Sequence, residues 1–368
     1  MRLLICAGAS GGGVYPALAV LQALQGEIED VLWAGSRGGM EANLVGREGI
    51  PYQEVPAAGM HGVGIRSMPG NLVELGRGYR AAERLIDHYQ PDVLFFTGGY
   101  VAVPVALSGR RLPIVLFVPD IEPGLALRSV SRFADQIAVP VDASHRYFRP
   151  GAPLTTTGYP VREELTRWHT AQARTELGVD PDEATLLVYG GSKGARSINR
   201  ALSRSLRKLL ENMQIIHLSG ELDWPAVEDE AERLPGELRS RYFPYPYLHE
   251  RMGAALAAAD LVVARAGAST LGEFPAFELP AILIPYPHAW RYQRVNAGYL
   301  VDRGGGVMLN DEELPDKLEP TVLDLMADEE KRSRMRIATR KLYQPEAARR
   351  IGELILQAAG HPGTRKAA

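Results

Sequence analysis

The stretch Leu3-Leu4-Ile5-Cys6-Ala7-Gly8-Ala9-Ser10-Gly11-Gly12-Gly13 decides the fold class. Residues 3–7 are unbroken apolar, as in a strand buried on both faces. Glycines and a serine follow at once, and then Ala17, Val20, Leu21 and Leu24 recur at helical spacing over residues 15–25. Strand, glycine loop and helix in that order predict one unit of a doubly wound parallel sheet, with the loop at the carboxyl end of the strand. Val31–Ala34, Val93–Phe96, Ile114–Val118 and a weaker Ile137–Val139 continue the series, with helical patterns between them. The same grammar restarts after residue 165 with Leu186–Tyr189, Ile215–Leu218, Leu261–Val263 and Ala281–Ile284. The sequence therefore predicts an α/β protein of two doubly wound, Rossmann-like parallel-sheet domains facing a cleft. Their expected bounds are 1–162 and 163–342, with Gly158-Tyr159-Pro160-Val161-Arg162 at the junction. Residues 343–368 are expected to form a helix and tail that packs back on the first domain; the long helical pattern over 329–359 is broken near Pro345.

Composition narrows the function classes. A chain of 368 residues suggests two domains, possibly three, at roughly 100–200 residues each. With 46% hydrophobic and 23% charged residues, neither a disordered tail nor a collagen-like fibre fits. A formal charge of −3 gives no support to a dedicated nucleic-acid binder, so no nucleic-acid partner is expected. The single cysteine, Cys6, excludes an intrachain disulfide and a cysteine metal cluster, and its apolar run makes it a core residue. No stretch reaches the ~18 apolar residues of a membrane span. The N-terminus runs into a glycine loop rather than a cleavage site, so a cytoplasmic protein without a signal peptide is expected.

Four loops carry the chemistry. In Ser10-Gly11-Gly12-Gly13, glycines let the backbone approach a ligand and the helix behind them favours an anion, although a tight turn needs the same residues. The dinucleotide fingerprint G-x-G-x-x-G is poorly matched and the Walker A lysine is absent. Gly190-Gly191-Ser192-Lys193-Gly194-Ala195 repeats the arrangement, with the Ser192 hydroxyl and backbone N–H groups able to cradle a phosphate. In Arg265-Ala266-Gly267-Ala268-Ser269-Thr270-Leu271-Gly272-Glu273, small residues open a helix start. Glu273 there either serves the helix dipole or accepts two ribose or sugar hydroxyls. Pro285-Tyr286-Pro287-His288 leads to Gln293, a reader of hydroxyls or a solvated side chain.

Together with Val14–Val20, Thr97-Gly98-Gly99-Tyr100-Val101, Pro123–Ala126, Gly194-Ala195-Arg196, Ala259–Val263 and Leu279–His288, these runs resemble the MurG family. Its members are the peptidoglycan N-acetylglucosaminyltransferases that make lipid II, of GT-B architecture. The resemblance spans the chain to about residue 310. It implies an inverting transfer of N-acetylglucosamine from UDP-N-acetylglucosamine to a polyprenyl-pyrophosphate-linked N-acetylmuramyl-peptide, with no cofactor and no metal. It puts the donor in the second domain. Ser192 and Ala268, Ser269, Thr270, Leu271 and Gly272 would hold the diphosphate and ribose, Glu273 the ribose hydroxyls, Leu248 the uracil through its backbone, and Gln293 the sugar. Arg162 also falls where the family contacts the donor. The lipid-linked acceptor's diphosphate would lie on the loop Ser10–Gly13.

Several positions depart from the family pattern. Gly13 stands where a histidine usually ends the glycine loop. Phe117-Val118-Pro119-Asp120 replaces a His-Glu-Gln-Asn run, Tyr159 an asparagine, Lys193 a glutamine and Tyr292 another glutamine. Asp120, past the fourth strand, and His61, in Gly59-Met60-His61-Gly62, are the expected candidates for the catalytic base. A paralogous transferase with another acceptor or sugar, and a non-catalytic nucleotide-sugar-binding scaffold, remain alternative readings. An NAD-dependent oxidoreductase is a more distant one. A lipid-linked acceptor also calls for an apolar, basic face. Residues 63–85 combine Val63, Ile65, Met68, Leu72, Val73 and Leu75 with Arg66, Arg77, Arg80 and Arg84, which points to peripheral contact with an anionic membrane surface.

Overall fold

The structure, a computed structural model, describes residues 1–8, 11–39, 41–57, 68–191, 194–288 and 291–360, and of residues 68–73 the backbone alone. The chain divides into two units, one of Met1–Arg162 with the segment from Gln344 onward, the other Glu163–Tyr343.

The first unit runs β1 (Arg2–Cys6), α1 (Gly11–Ala23), β2 (Asp30–Gly35), α2 (Glu41–Arg47), β3 (Tyr52–Glu54), α3 (Met68–Tyr89), β4 (Val93–Phe96), α4 (Ala102–Ser108), β5 (Ile114–Phe117), α5 (Leu125–Val130), β6 (Gln136–Val139) and β7 (Leu154–Thr156). Its seven parallel strands lie in the order β3-β2-β1-β4-β5-β6-β7. Leu4 sits between Leu32 and Leu94, and Ile5 between Trp33 and Phe95. Every residue of β4 and β5 is buried, which is why both read as unbroken apolar runs. The edge strands β3 and β7 carry Tyr-Gln-Glu and Leu-Thr-Thr and are half-buried or exposed, so apolar patterning did not announce them. The helix expected from residue 15 begins at Gly11, so Gly11, Gly12 and Gly13 are its first turn rather than a free loop.

The second unit runs α6 (Glu163–Thr166), α7 (Thr170–Leu177), β8 (Thr185–Tyr189), α8 (Arg196–Leu210), β9 (Gln214–Leu218), α9 (Trp224–Glu232), α10 (Gly236–Arg239), β10 (Tyr242–Tyr245), α11 (Met252–Ala258), β11 (Leu261–Ala264), α12 (Thr270–Ala276), β12 (Ala281–Leu283), α13 (Tyr292–Val301), β13 (Gly306–Met308), α14 (Leu314–Ala327) and α15 (Glu329–Arg340). The sheet is six parallel strands, β10-β9-β8-β11-β12-β13. Again the two unannounced strands are the edges. β10 contains Pro244, which an edge tolerates, and β13 follows Gly304-Gly305, which reads as a loop. α8 buries Ile198, Leu202, Leu206, Leu209 and Leu210 and exposes Arg200, Arg204 and Arg207, so one face joins the core and the other meets water.

The break near Pro345 separates α15 from α16 (Ala347–Gly360), which belongs to the first unit and packs on α1, β4, β5 and β6. Ile351 and Ile355 of α16 are fully buried, each burial contributing roughly 1.5–3 kcal/mol.

Candidate functional site

In the first unit two glycine-bearing turns meet at the carboxyl ends of β1 and β4. The Thr97 hydroxyl donates to the Gly13 carbonyl at 2.5 Å. A Cβ at position 13 would lie 3.1 Å from the Gly8 carbonyl oxygen and 3.5 Å from that of Thr97. A side chain there would need the Gly8 carbonyl to give by a few tenths of an ångström, whereas glycine leaves the two turns as they stand. The first-turn N–H groups of α1 have no intrahelical acceptor, the general property of a helix start on which the sequence expectation of an anion rests. The Arg162 guanidinium lies 4.2 Å over the ring of Tyr15 on α1, so this residue is held by the first unit.

Two departures from the family pattern meet each other. Phe117 and Tyr159 stack edge-on, ring centroids 5.9 Å apart, and both are buried, as is Val118. Apolar packing holds this strand end together where the family pattern has His, Glu and Asn. Asp120 follows in the loop after β5, half-buried. Glu122, two residues on, is buried and was not singled out from the sequence, because a lone acidic residue before Pro-Gly reads as turn. Ser10 and His61 lie outside the described residues.

In the second unit the loop after β8 and the loop after β11 converge. Gly194, at φ +74°, leaves no room for a side chain, since a Cβ would lie 2.3 Å from the Ser219 carbonyl oxygen. α8 starts directly behind it. Its N-cap, Ala195, has no side chain that could cap the first-turn N–H groups. Ser192 and Lys193 lie outside the described residues. On the β11 side the Thr270 hydroxyl donates to the Gly267 carbonyl at 2.7 Å, and Ala268, Leu271 and Gly272 are buried while Ser269 is half-buried.

Glu273 is half-buried beside the end of β8. Burial first, then the Glu273 carboxylate, then Tyr247, push the Tyr189 hydroxyl well above its ordinary pKa. Tyr189, Glu273 and Tyr247 are thus neighbours, with Leu248 next in chain to Tyr247. The Leu248 carbonyl accepts from Arg251 N–H at 2.7 Å. Gln293 accepts from Tyr286 N–H at 2.8 Å through its side-chain oxygen.

Beneath these loops lies a polar network that no local pattern could announce. Buried Arg265 donates to Asp311 at 2.5 Å, to the Ser197 hydroxyl at 2.7 Å and to the Ile284 carbonyl at 3.3 Å. Ser197 donates to Asp311 at 2.8 Å. One buried cation, countered by one carboxylate, ties the starts of α8 and α14 to the ends of β11 and β12.

A model described as the glycosyltransferase family 28 N-terminal domain matches residues 3–139, and its C-terminal counterpart matches residues 185–351. The chain is 40% identical, over 96% of its length and 94% of the relative's, to the UDP-N-acetylglucosamine–N-acetylmuramyl-(pentapeptide) pyrophosphoryl-undecaprenol N-acetylglucosamine transferase of Roseiflexus sp. (strain RS-1). It is 37% identical to the protein of the same name from Desulforamulus reducens, over 94% of the chain and 96% of the relative. Among solved structures it resembles MurG of Acinetobacter baumannii, with a TM-score of 0.73 and 25% identity over 97% of this chain and 99% of that one. The glycosyltransferase SsfS6 of Streptomyces sp. SF2575, with a TM-score of 0.62 and 18% identity over 97% of this chain and 100% of that one, shares the fold alone.

Proposed function

The chain belongs to the MurG family of GT-B glycosyltransferases, and on that premise we propose the reaction it performs and the residues that serve it. It is a UDP-sugar-dependent hexosyltransferase that moves N-acetylglucosamine from UDP-N-acetylglucosamine to a polyprenyl-pyrophosphate-linked N-acetylmuramyl-peptide, converting lipid I to lipid II in peptidoglycan synthesis. The observation that carries this reading is 40% identity to a transferase of that name along almost the whole of both chains.

The second unit takes the donor. The diphosphate lies against the first turn of α8 with Ser192, and Ala268, Ser269, Thr270, Leu271 and Gly272 line the ribose side. Glu273 accepts the ribose hydroxyls, the Leu248 backbone meets uracil, and the Gln293 amide donates to the sugar. The first unit takes the acceptor, its pyrophosphate on the first turn of α1 with Ser10, Gly11, Gly12 and Gly13. Arg162, seated over Tyr15 of α1, is the residue of the first unit that the family pattern puts in contact with the donor.

The acceptor hydroxyl oxygen forms a bond to the anomeric carbon as the bond from that carbon to the UDP oxygen breaks, and configuration inverts. Two charges are at stake. The hydroxyl proton passes to a base, for which Asp120 is the first candidate and His61 the second. The negative charge gathering on UDP is met by the N–H groups of the α8 first turn. The enzyme works at the cytoplasmic face of the membrane, held there as a peripheral protein. No helix among the described residues is long and apolar enough to cross it.

The test measures UDP release from UDP-N-acetylglucosamine with and without lipid I. Release that rises at least 100-fold with lipid I, and falls roughly 100-fold in Asp120→Asn with UDP affinity unchanged, supports both the reaction and the base. No stimulation by lipid I sinks the reaction. A second reading, another polyprenyl-pyrophosphate sugar as acceptor, is favoured by the apolar Phe117–Tyr159 pair at the acceptor-side strand end. Stimulation by such an acceptor and not by lipid I would establish it.

A further inference from the structure

Glu41 is a carboxylate that the fold buries and the mechanism above does not use. It is 1% exposed, at the start of α2. One oxygen, Oε1, accepts from the Ser36 backbone N–H at 2.8 Å and from the Ser36 hydroxyl. The other, Oε2, is out of contact with solvent and has no hydrogen-bond partner among the described residues. An ionised oxygen left so is costly unless a donor reaches it. The carboxylate packs against the glycine turn itself, since a Cβ on Gly8 would lie 2.6 Å from Oε1.

Glu41 also lines a cavity of about 40 Å³, together with Gly8, Ser36, Ala57, Gly99 and Tyr100. Tyr100 is 48% exposed, so the cavity lies close under the surface of the unit. Its walls come from the carboxyl ends of β1, β2 and β4, and β1 is the strand at which the sheet order reverses. Open α/β sheets bind ligands at that switch point. The volume decides what enters. A water needs roughly 10–15 Å³ by this measure, so the cavity accepts a hydroxyl on one carbon and not a sugar ring. A carboxylate oxygen accepts and never donates, so the incoming group must bring an O–H or N–H.

We propose that Glu41 and this cavity form an acceptor-recognition subsite, in which Oε2 accepts a hydrogen bond from the primary hydroxyl of the acceptor sugar's hydroxymethyl arm. This rests on the acceptor binding to the first unit. Gly8 belongs to the turn that leads into α1, so a pyrophosphate on that helix's first turn brings its sugar beside the cavity. Glu41 here recognises and positions the acceptor, and it takes no proton in the transfer.

The experiment uses the full chain, UDP-N-acetylglucosamine, and two short-prenyl N-acetylmuramyl-pyrophosphate acceptors, one complete and one lacking the primary hydroxyl. Acceptor KM and kcat are read beside equilibrium acceptor binding by calorimetry. Against wild type the deoxy acceptor should bind roughly 10- to 100-fold more weakly, the loss expected for a hydrogen bond to a charged group. Glu41→Gln should raise the KM of the complete acceptor by a similar factor, with kcat, UDP affinity and thermal midpoint little changed, and should no longer distinguish the two acceptors. Ala57→Leu, which fills the cavity and keeps the carboxylate, should likewise remove the discrimination, and it serves if Glu41→Gln fails to fold. Equal discrimination in wild type and in a folded variant overturns the subsite, and so does failure of the complete acceptor to bind wild type. If wild type binds the acceptors with Glu41-dependent discrimination yet transfers nothing, the subsite stands and the transferase reading falls.

Discussion

Glu273 and His217 are both polar residues near strand ends, and their surroundings give them opposite duties. Glu273 is half-buried beside Tyr189 and Tyr247, in the helix that follows the β11 loop. A carboxylate that accepts two ribose hydroxyls is worth about 1–3 kcal/mol, so Glu273→Ala should weaken UDP binding roughly 5- to 100-fold by calorimetry; unchanged affinity would remove Glu273 from the site. His217 was not singled out from the sequence, and the fold places it in the interior of the second unit. Its Nδ1 meets the Tyr242 hydroxyl at 2.7 Å and its Nε2 the Asn199 side-chain oxygen at 3.1 Å. Burial holds its pKa down to about 3, against a small opposing pull from Asp223. The folded state therefore resists a proton that the unfolded chain takes up below pH ~6.5. Stability from this group is complete above that pH and is lost as pH falls toward 3. The unfolding midpoint of wild type should drop more steeply between pH 6.5 and 4 than that of His217→Gln, followed by circular dichroism. Parallel slopes would show that the neutral imidazole is not the cause.

At the scale of elements, the second unit is fastened by charges that join distant segments. Asp260, just before β11, accepts from Arg174 of α7 at 2.9 Å and from Arg336 of α15 at 2.9 Å, and from the Thr185 backbone N–H at 2.9 Å. Arg174 is buried and donates as well to the Ala258 carbonyl at 3.2 Å. Removing the carboxylate strands a buried guanidinium. Asp260→Asn should cost about 3 kcal/mol in urea unfolding, while a double variant with Arg174→Met should recover part of the loss. A single variant as stable as wild type would show that these pairs contribute nothing net. Legibility follows the same divide. Central strands were readable because they are largely buried and mostly apolar, with buried Thr185, Gln214 and His217 as exceptions in β8 and β9. The four edge strands β3, β7, β10 and β13 were not, because half of each meets solvent and the backbone pairing that makes them strands leaves no apolar trace.

On the scale of the whole molecule, the question is where it works. On α3 the described residues Arg77, Arg80 and Arg84 are exposed and Tyr79 is 40% exposed, although Arg77 is paired with Glu74 at 2.7 Å. The neighbouring Val63, Ile65 and Arg66 lie outside the described residues, as do the side chains of Met68, Leu72 and Val73. Each basic residue near an anionic surface contributes ~1 kcal/mol. Arg80→Glu with Arg84→Glu should therefore cut sedimentation with phosphatidylglycerol vesicles at least tenfold at low salt. A wild-type protein that stays in the supernatant under those conditions would count against membrane contact.

The sequence by itself determined the two parallel-sheet units, the strand-end loops and the family, because a doubly wound sheet needs apolar strands and glycine turns that are local in the chain. Tertiary structure alone decided what those loops rest on and what they enclose. Arg265 finds Asp311 across 46 residues and Ser197 across 68. Phe117 finds Tyr159, which turns two separate losses of polarity into one packed pair. Glu41 looks in the sequence like an ordinary helix-start acid, and only the closure of β1, β2 and β4 around it makes it a buried carboxylate with an oxygen to spare. The cause is common to all three. Hydrophobic periodicity is written in neighbours, whereas the partner of a buried polar group is chosen by the path of the chain through space.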